Sequence, residues 1–421
     1  MTTAIPASTA PTPDAKRLAI IGGGITGLSA AYEAVKRGET NIHVYEATNR
    51  FGGKIQSGTV AGETINRGAE FVDSDHTQLI ALAKELGINL IENKRMEREE
   101  FQRPDGKLLS DVEFYTAYRP YAEQVMQDRE AIMREPNGIQ AKLLGAMTLA
   151  QYSEYLEQKV TPVTRGFWQA LTDIVTFKGN SAKQVMRTAA LAYESEVGQP
   201  MRNISAIQFL NETSGEPDQF LISDCNYRVE GGTEAIITAL REKLQASGVS
   251  FHTGAQLNSA VKNVNGKTDL IFSNPELNTS TDKLLLTLPT YAYRDIAGLE
   301  TLGLSADNKA LLANTQYTNS FKLTVAFNPG AATPDSVYFA PTGFQCWSPA
   351  PGLLTFLSNA DDLKSSSTKT VIMDRLNSYA KAHGSTAEKM FDLKQLDFNN
   401  PGAKACYASL AVGQAEVLGG L

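Results

Sequence analysis

Apolar residues follow two rhythms along this chain. Short unbroken runs suit strands buried on both faces: "RLAII" (Arg17 to Ile21), "NIHVYEA" (Asn41 to Ala47) and "DKLLLTLP" (Asp282 to Pro289). A helical rhythm runs through "LSAAYEAVKRG", which Gly38 stops, and through Leu79, Leu82, Ala83 and Leu86. "VSFHTGAQLNSAVKNVNG" reads as strand, turn, strand, and further strands are expected around "SFKLTVAF" and "SVYFAP". Between Leu79 and Phe220 the pattern is mostly helical and rich in charge. There "NKRMEREEFQRPDG" (93–106) reads as a solvated face followed by a turn at Pro104 to Gly106. Strand, helix, strand at the front and helices behind predict an α/β fold.

The first junction carries the sharpest signal. Gly22, Gly24 and Gly27 stand in G-x-G-x-x-G spacing between the first strand and its helix. The first glycine allows the tight turn, the second lets a pyrophosphate reach the backbone, and the third lets helix and strand pack closely. Ile25 and Thr26 sit at the helix start, where unpaired N–H groups and the dipole favour an anion. The second strand ends at Glu46, followed by Ala47. A carboxylate there can take the hydroxyls of an adenosine ribose. Strand, glycine turn, helix, strand and acid together predict a dinucleotide site.

Composition narrows the picture. The chain has 421 residues, room for two or three domains, with 42% hydrophobic and 20% charged residues, as in an ordinary globular protein. A net charge of −7 opposes a general nucleic-acid surface, and no apolar run approaches a membrane span. Three cysteines (Cys225, Cys346 and Cys406) in no paired spacing suggest no disulfide framework, which fits a reducing cytoplasm. Residues 1–17 lack the apolar stretch of a secretory signal and read as a disordered leader. Four histidines without metal-ligand spacing indicate no metal site, and no G-x-S-x-G motif suggests a hydrolase.

The stretch after the ribose acid, "EATNRFGGKIQSG", adds Arg50, Gly52, Gly53 and Lys54. Acid, short spacer, then R-x-G-G-[RK] resembles the flavin amine oxidase superfamily, which includes monoamine and polyamine oxidases, L-amino acid oxidases and protoporphyrinogen oxidases. The cofactor this resemblance implies is FAD, with the second glycine pair laid along the same pyrophosphate. Most amine oxidases carry Arg where this chain has Lys54, which keeps the charge and loses the planar fork. "GKIQ" is reminiscent of the protoporphyrinogen oxidase branch. Further segments match in family order. "INRGAEFVDSDHTQLIALAKELGI" resembles the crossing near the flavin, with Gly68 and Ala69 at its turn and Glu70 and Phe71 following. "YRVEGGTEAIITALREKL" resembles the second glycine pair and helix, with Gly231 and Gly232 on the family's glycines. Val261 matches a residue whose backbone meets the adenine.

On pattern alone Lys322, in "NSFKLTVAFNP", is either a snorkelling edge residue or a deliberately placed charge. The resemblance implies the second, a lysine that holds a water against the flavin N5 and assists reoxidation by oxygen. "AKACYASLAVGQAEVL" resembles the monoamine oxidase segment in which a cysteine can bond to the flavin and the next tyrosine lines an aromatic cage. Cys406 and Tyr407 fall on those positions, with an inert buried thiol and core packing as the alternatives. Asp73 and Glu70 could hold a substrate cation, although "DSD" before an apolar helix also reads as an N-cap cluster that includes His76. L-amino acid oxidases commonly place an arginine just after the glycine matching Gly68, and "GAEFVDS" has none.

The resemblance implies a Rossmann-like FAD-binding domain interleaved with an α+β substrate domain. Its expected boundaries give the FAD-binding domain residues 18–78 and 221–290, and the substrate domain residues 79–220 and 291–400. Residues 401–421 would return to the FAD-binding domain, apparently truncated before the family's last strand and helix. The implied activity is oxidation of an amine C–N bond, with hydride passing to flavin N5, oxygen giving hydrogen peroxide, and water hydrolysing the imine. Its partners are a small amine and O2. The alternatives are an L-amino acid oxidase, a protoporphyrinogen oxidase or desaturase, and a non-catalytic flavin-fold protein.

Overall fold

The computed structural model describes residues 16–93, 99–103, 106–160, 182–214, 225–317, 320–327, 336–339, 344–359, 368–391, 404–405 and 408–409. The chain divides into two compact units. The first draws on Met1–Gly58, Gly68–Glu92 and Tyr227–Thr315, the second on Thr59–Arg67, Asn93–Asn226 and Gln316–Leu421.

The first unit is built on four parallel strands in the order Ser250–His252, Ile42–Tyr45, Leu18–Ile21 and Lys283–Leu286. Alternate residues serve two cores. Ile20, Ile42 and Val44 pack on helices Ile25–Lys36 and Glu234–Ala246 through Leu28, Ala31, Val35, Ile237 and Leu240. Ala19, Ile21 and Tyr45 pack on Leu257, Ala260, Leu270 and Phe272, which come from an antiparallel three-stranded sheet. Burial on both faces is why these strands read as unbroken apolar runs. The helical rhythm at Leu79 becomes helix Thr77–Leu86, ended by Gly87 in the left-handed conformation at φ 73°. Its N-cap is His76, as the cap cluster expected there implies, although the side chain makes no capping bond. The His76 ring instead accepts from the Asp73 N–H at 3.1 Å.

The second unit centres on seven strands in the order Lys404–Ala405, Ser320–Ala326, Leu353–Asn359, Phe344–Trp347, Ser336–Phe339, Glu99–Gln102 and Leu108–Ser110. One face, with Leu323, Val325, Val337, Cys346 and Phe356, packs on Ile372, Leu376 and Phe391 of helices Thr368–Ala382 and Ala387–Phe391. On the other face Tyr338 and Phe101 join the core of helices Asp111–Arg134, Leu149–Lys159, Ala182–Val197 and Ala206–Glu212. Two of these helices start on capping boxes, Ser110 with Glu113 and Thr148 with Gln151.

The strand Glu99–Gln102 corrects the reading of "NKRMEREEFQRPDG" as a solvated face. Phe101 is fully buried, and the buried Gln102 amide donates to Ser378 Oγ at 2.7 Å and to the Gly106 carbonyl at 3.2 Å. A four-residue strand with one apolar side chain has too little pattern to stand out from a charged run. The turn that follows is closed by Gly106 N–H donating to the Arg103 carbonyl at 2.8 Å. Residues 94–98, Pro104 and Asp105 lie outside the described residues. Among the described residues no helix is long and apolar enough to cross a membrane.

Candidate functional site

The first unit assembles a cradle from backbone. Gly22 turns the chain at φ 111° and is tied to the second strand by its N–H donating to the Tyr45 carbonyl at 2.8 Å. A Cβ at Gly27 would lie 2.0 Å from the Gly22 carbonyl oxygen, so only glycine lets helix and turn approach this closely. Gly24 is the N-cap, with exposed Thr26 and partly buried Ile25 in a first helical turn that holds no carboxylate. An anion is favoured there.

The second glycine segment lies against the first. Gly24 and Gly52 form an isolated parallel bridge, and Gly52 N–H donates to the Gly23 carbonyl at 2.8 Å. Gly52 and Gly53 both have positive φ, 117° and 56°. The Arg50 guanidinium donates to the carbonyls of Phe51 (3.3 Å), Ile55 (3.0 Å) and Gly53, so it braces the loop that carries the glycine pair. Lys54 is exposed. The Lys54 carbonyl accepts from Ala69 N–H at 3.2 Å, and a Cβ on Gly68 would sit 1.8 Å from that oxygen. Gly68 is therefore where two backbones meet.

Glu46 stands at the end of the second strand, next to exposed Ala47. Its carboxylate accepts from Gly23 N–H at 2.9 Å, and from the Thr48 N–H and hydroxyl at 2.9 and 2.8 Å. These contacts fix the acid beside the glycine turn. Glu70 is placed differently. It is buried and ion-paired with Arg228 at 2.9 Å, so its charge is already matched within the unit. Phe71 begins the short strand Phe71–Val72, paired with Tyr227–Val229. Val261, on strand Leu257–Lys262, is 37% exposed. Sequence reasoning missed Thr287, whose hydroxyl donates toward the carbonyls of Ile21 and Gly22, each at 3.0 Å. Nothing around it in sequence marks it. Taken together, two adjoining glycine turns, a helix start without an acid and a braced carboxylate fit an adenine dinucleotide.

The second unit carries its own wall of side chains. The register places Lys322 opposite Leu357, Leu357 opposite Gln345, and Gln345 opposite Tyr338. The neighbouring row on this face runs Thr324, Thr355, Trp347. Lys322 is buried, at 5% exposure, on a strand inside the sheet. Its ammonium lies 5.2 Å from the centre of the Trp347 ring. Thr324 and Thr355 share a hydroxyl hydrogen bond of 2.8 Å, and both are buried.

Farther along the same face, Tyr338 hydroxyl meets Glu196 at 3.0 Å and Glu99 at 3.4 Å, and Tyr115 hydroxyl donates to Glu99 at 2.7 Å. Burial pushes the Glu196 carboxyl up to about 7, with Tyr338 opposing the rise and the charge of Glu99 adding to it. Glu99 is raised by burial too. Burial also drives the Cys346 thiol well above its ordinary range, so it is unreactive. Trp347, Gln345, Glu196 and Glu99 were missed in the sequence. The alternation in "FQCW" puts Gln345 and Trp347 on one face, but only the register puts that face beside Lys322. Cys406 and Tyr407 lie outside the described residues. Asp73, Asp75 and His76 are the one group among the described residues that brings three metal-ligating side chains within 4.8 Å of one another. Asp75 and His76 are exposed.

Comparison with known proteins agrees with this architecture. The chain aligns with a putrescine oxidase of Kocuria rosea at 37% identity over 21% of this chain and 18% of that protein. It aligns with a coproporphyrinogen III oxidase of Staphylococcus aureus at 48% identity over 17% of this chain and 16% of that one. The alignments thus span under a fifth of the length of these curated relatives. A solved structure of wild-type putrescine oxidase bound to putrescine superposes with a TM-score of 0.66 at 16% identity, covering 94% of this chain and 88% of that chain. At that identity the likeness establishes the fold. The profile of the flavin containing amine oxidoreductase family matches residues 25–417, nearly the whole chain, and the chain belongs to that family.

Proposed function

We propose that this protein oxidises the C–N bond of an aliphatic amine, with FAD as electron acceptor and dioxygen as final oxidant. FAD, when bound, supplies acceptance of a hydride from the carbon beside the amine nitrogen and delivery of the electrons to oxygen as hydrogen peroxide. The protein's own residues supply binding and electrostatics. The Gly22–Gly27 turn and the carboxylate-free helix start take the diphosphate, backed by the Gly52–Gly53 loop that Arg50 braces. Glu46, already oriented by Gly23 and Thr48, accepts the adenosine ribose hydroxyls. In the second unit Lys322 offers a fixed positive charge on a polar wall, suited to the negative charge that grows on oxygen as it is reduced.

The observation that carries this reading is Lys322 itself. Its ammonium is enclosed on a sheet face that also bears Thr324, Thr355 and Gln345, where a held positive charge suits the charge developing on oxygen. A small amine is favoured by the putrescine oxidase among the relatives. A porphyrinogen is the second reading, favoured by Lys54 in the "GGKIQ" segment and by the match to coproporphyrinogen III oxidase. Peroxide release from the purified yellow protein separates them. It should appear with primary mono- and diamines and not with porphyrinogens or L-amino acids. Release from porphyrinogens alone, or from amino acids alone, would reject the amine reading.

A further inference from the structure

The wall around Lys322 contains a contact that the reaction chemistry alone does not call for. Trp347 sits two strands from Lys322, on the same sheet face and one residue pair along. Its ring is 3% exposed and the Lys322 ammonium lies 5.2 Å from the ring centre, within the range of a cation–π contact. The ring face is electron-rich, so it favours a cation over it, and the effect grows when water is excluded. The strand between them places Thr355 and Leu357 on this face, both buried and uncharged. Glu99, on this face, and Glu196, from helix Ala182–Val197, meet at Tyr338, three strands from Lys322.

We propose that Trp347 is the positioning residue for Lys322: its ring holds the ammonium at one place on the wall, and oxygen reactivity depends on that placement. Lysine has a long flexible stem, and a point charge stabilises developing charge only where it is held. The ring supplies the hold from the side opposite to flexibility, as a rigid surface on a central strand of the sheet. This inference rests on the role of Lys322 given above and adds a residue that acts through it.

The test is a double-mutant cycle read on separate half-reactions. Lys322→Met should slow flavin reoxidation by oxygen strongly and leave anaerobic reduction by amine near normal. Trp347→Leu should slow reoxidation about tenfold on its own, by the size of a desolvated cation–π contact. Trp347→Phe, which keeps a weaker ring, should recover most of that loss. In the Lys322→Met background Trp347→Leu should change nothing further. A second readout needs no flavin. The chain has two tryptophans, and Trp168→Phe leaves Trp347 as the sole indole emitter. Lys322→Met should then change its emission in the flavin-free protein. If Lys322→Met slows reoxidation but Trp347→Leu has no effect, or an equal effect in both backgrounds, the positioning role is overturned. An unchanged Trp347 emission overturns it too. If Lys322→Met leaves reoxidation unchanged, the role of the lysine falls, and this inference with it.

Discussion

The cradle in the first unit is made of backbone, and the wall in the second is made of side chains. At Gly27 and Gly68 a single added methyl would run into a carbonyl oxygen, at 2.0 and 1.8 Å. On the sheet of the second unit, Lys322, Trp347, Thr324, Thr355 and Gln345 are ordinary β residues, brought into contact by register. The two units also bury opposite kinds of titratable group. In the first, His43 and His252 face each other at 3.1 Å, stacked with Tyr45. Burial lowers His43 to about 4, helped by the Arg17 charge and by His252. In the second, burial raises the carboxyls around Tyr338. Under the proposed function the difference has a reason: phosphates need close main-chain approach, which glycines allow, and oxygen reduction needs placed charge, which side chains supply.

The comparison breaks most readily at the glycines. Gly68→Ala forces apart the backbones at Lys54 and Gly68 and should cost about 3 kcal/mol, in the range of severe overpacking. Thermal unfolding and flavin titration should both show the loss. A variant as stable and as flavin-avid as the parent would mean that the close contact is not needed.

The carboxyl cluster gives the next effect. Glu196 has a folded pKa of about 7, above its unfolded value near 4.5, so the folded state holds the extra proton. The stability this gives is fully present below about pH 4.5 and is lost as pH rises through about 7. Allowing for its partial exposure, the loss is on the order of 2 kcal/mol. Glu196→Gln should flatten that decline and stabilise the protein at pH 8, followed by melting temperature against pH. An unaltered slope would contradict the buried-acid account.

The histidine pair should act weakly and with the opposite sign. His43 is held below its ordinary value, so its contribution is present above about pH 6.5 and lost as pH falls through about 4. His43→Gln should lessen acid destabilisation by a smaller amount, visible in the same melts between pH 4 and 6. If it steepened the acid limb instead, the neutral-histidine reading would be wrong.

How legible each unit was in the sequence follows from the same difference. The glycine turn, its flanking strand and helix, and Glu46 lie within thirty residues, so spacing alone exposes them. The second glycine pair stands shortly after. The wall is scattered: Glu99, Glu196, Lys322, Tyr338, Gln345 and Trp347 meet only through a seven-stranded sheet whose register no local pattern encodes. The strand at Phe101 was hidden inside a charged run because it carries a single apolar side chain. Glu70 looked like a free acid because its partner, Arg228, lies on a distant strand.

Double-mixing stopped flow tests the central claim most directly. Anaerobic mixing of the flavin-loaded protein with an aliphatic primary amine should bleach the flavin absorbance, and a second mixing with oxygen should restore it while releasing peroxide. A flavin that binds normally and stays oxidised through the first mixing, across mono- and diamines, would contradict the account.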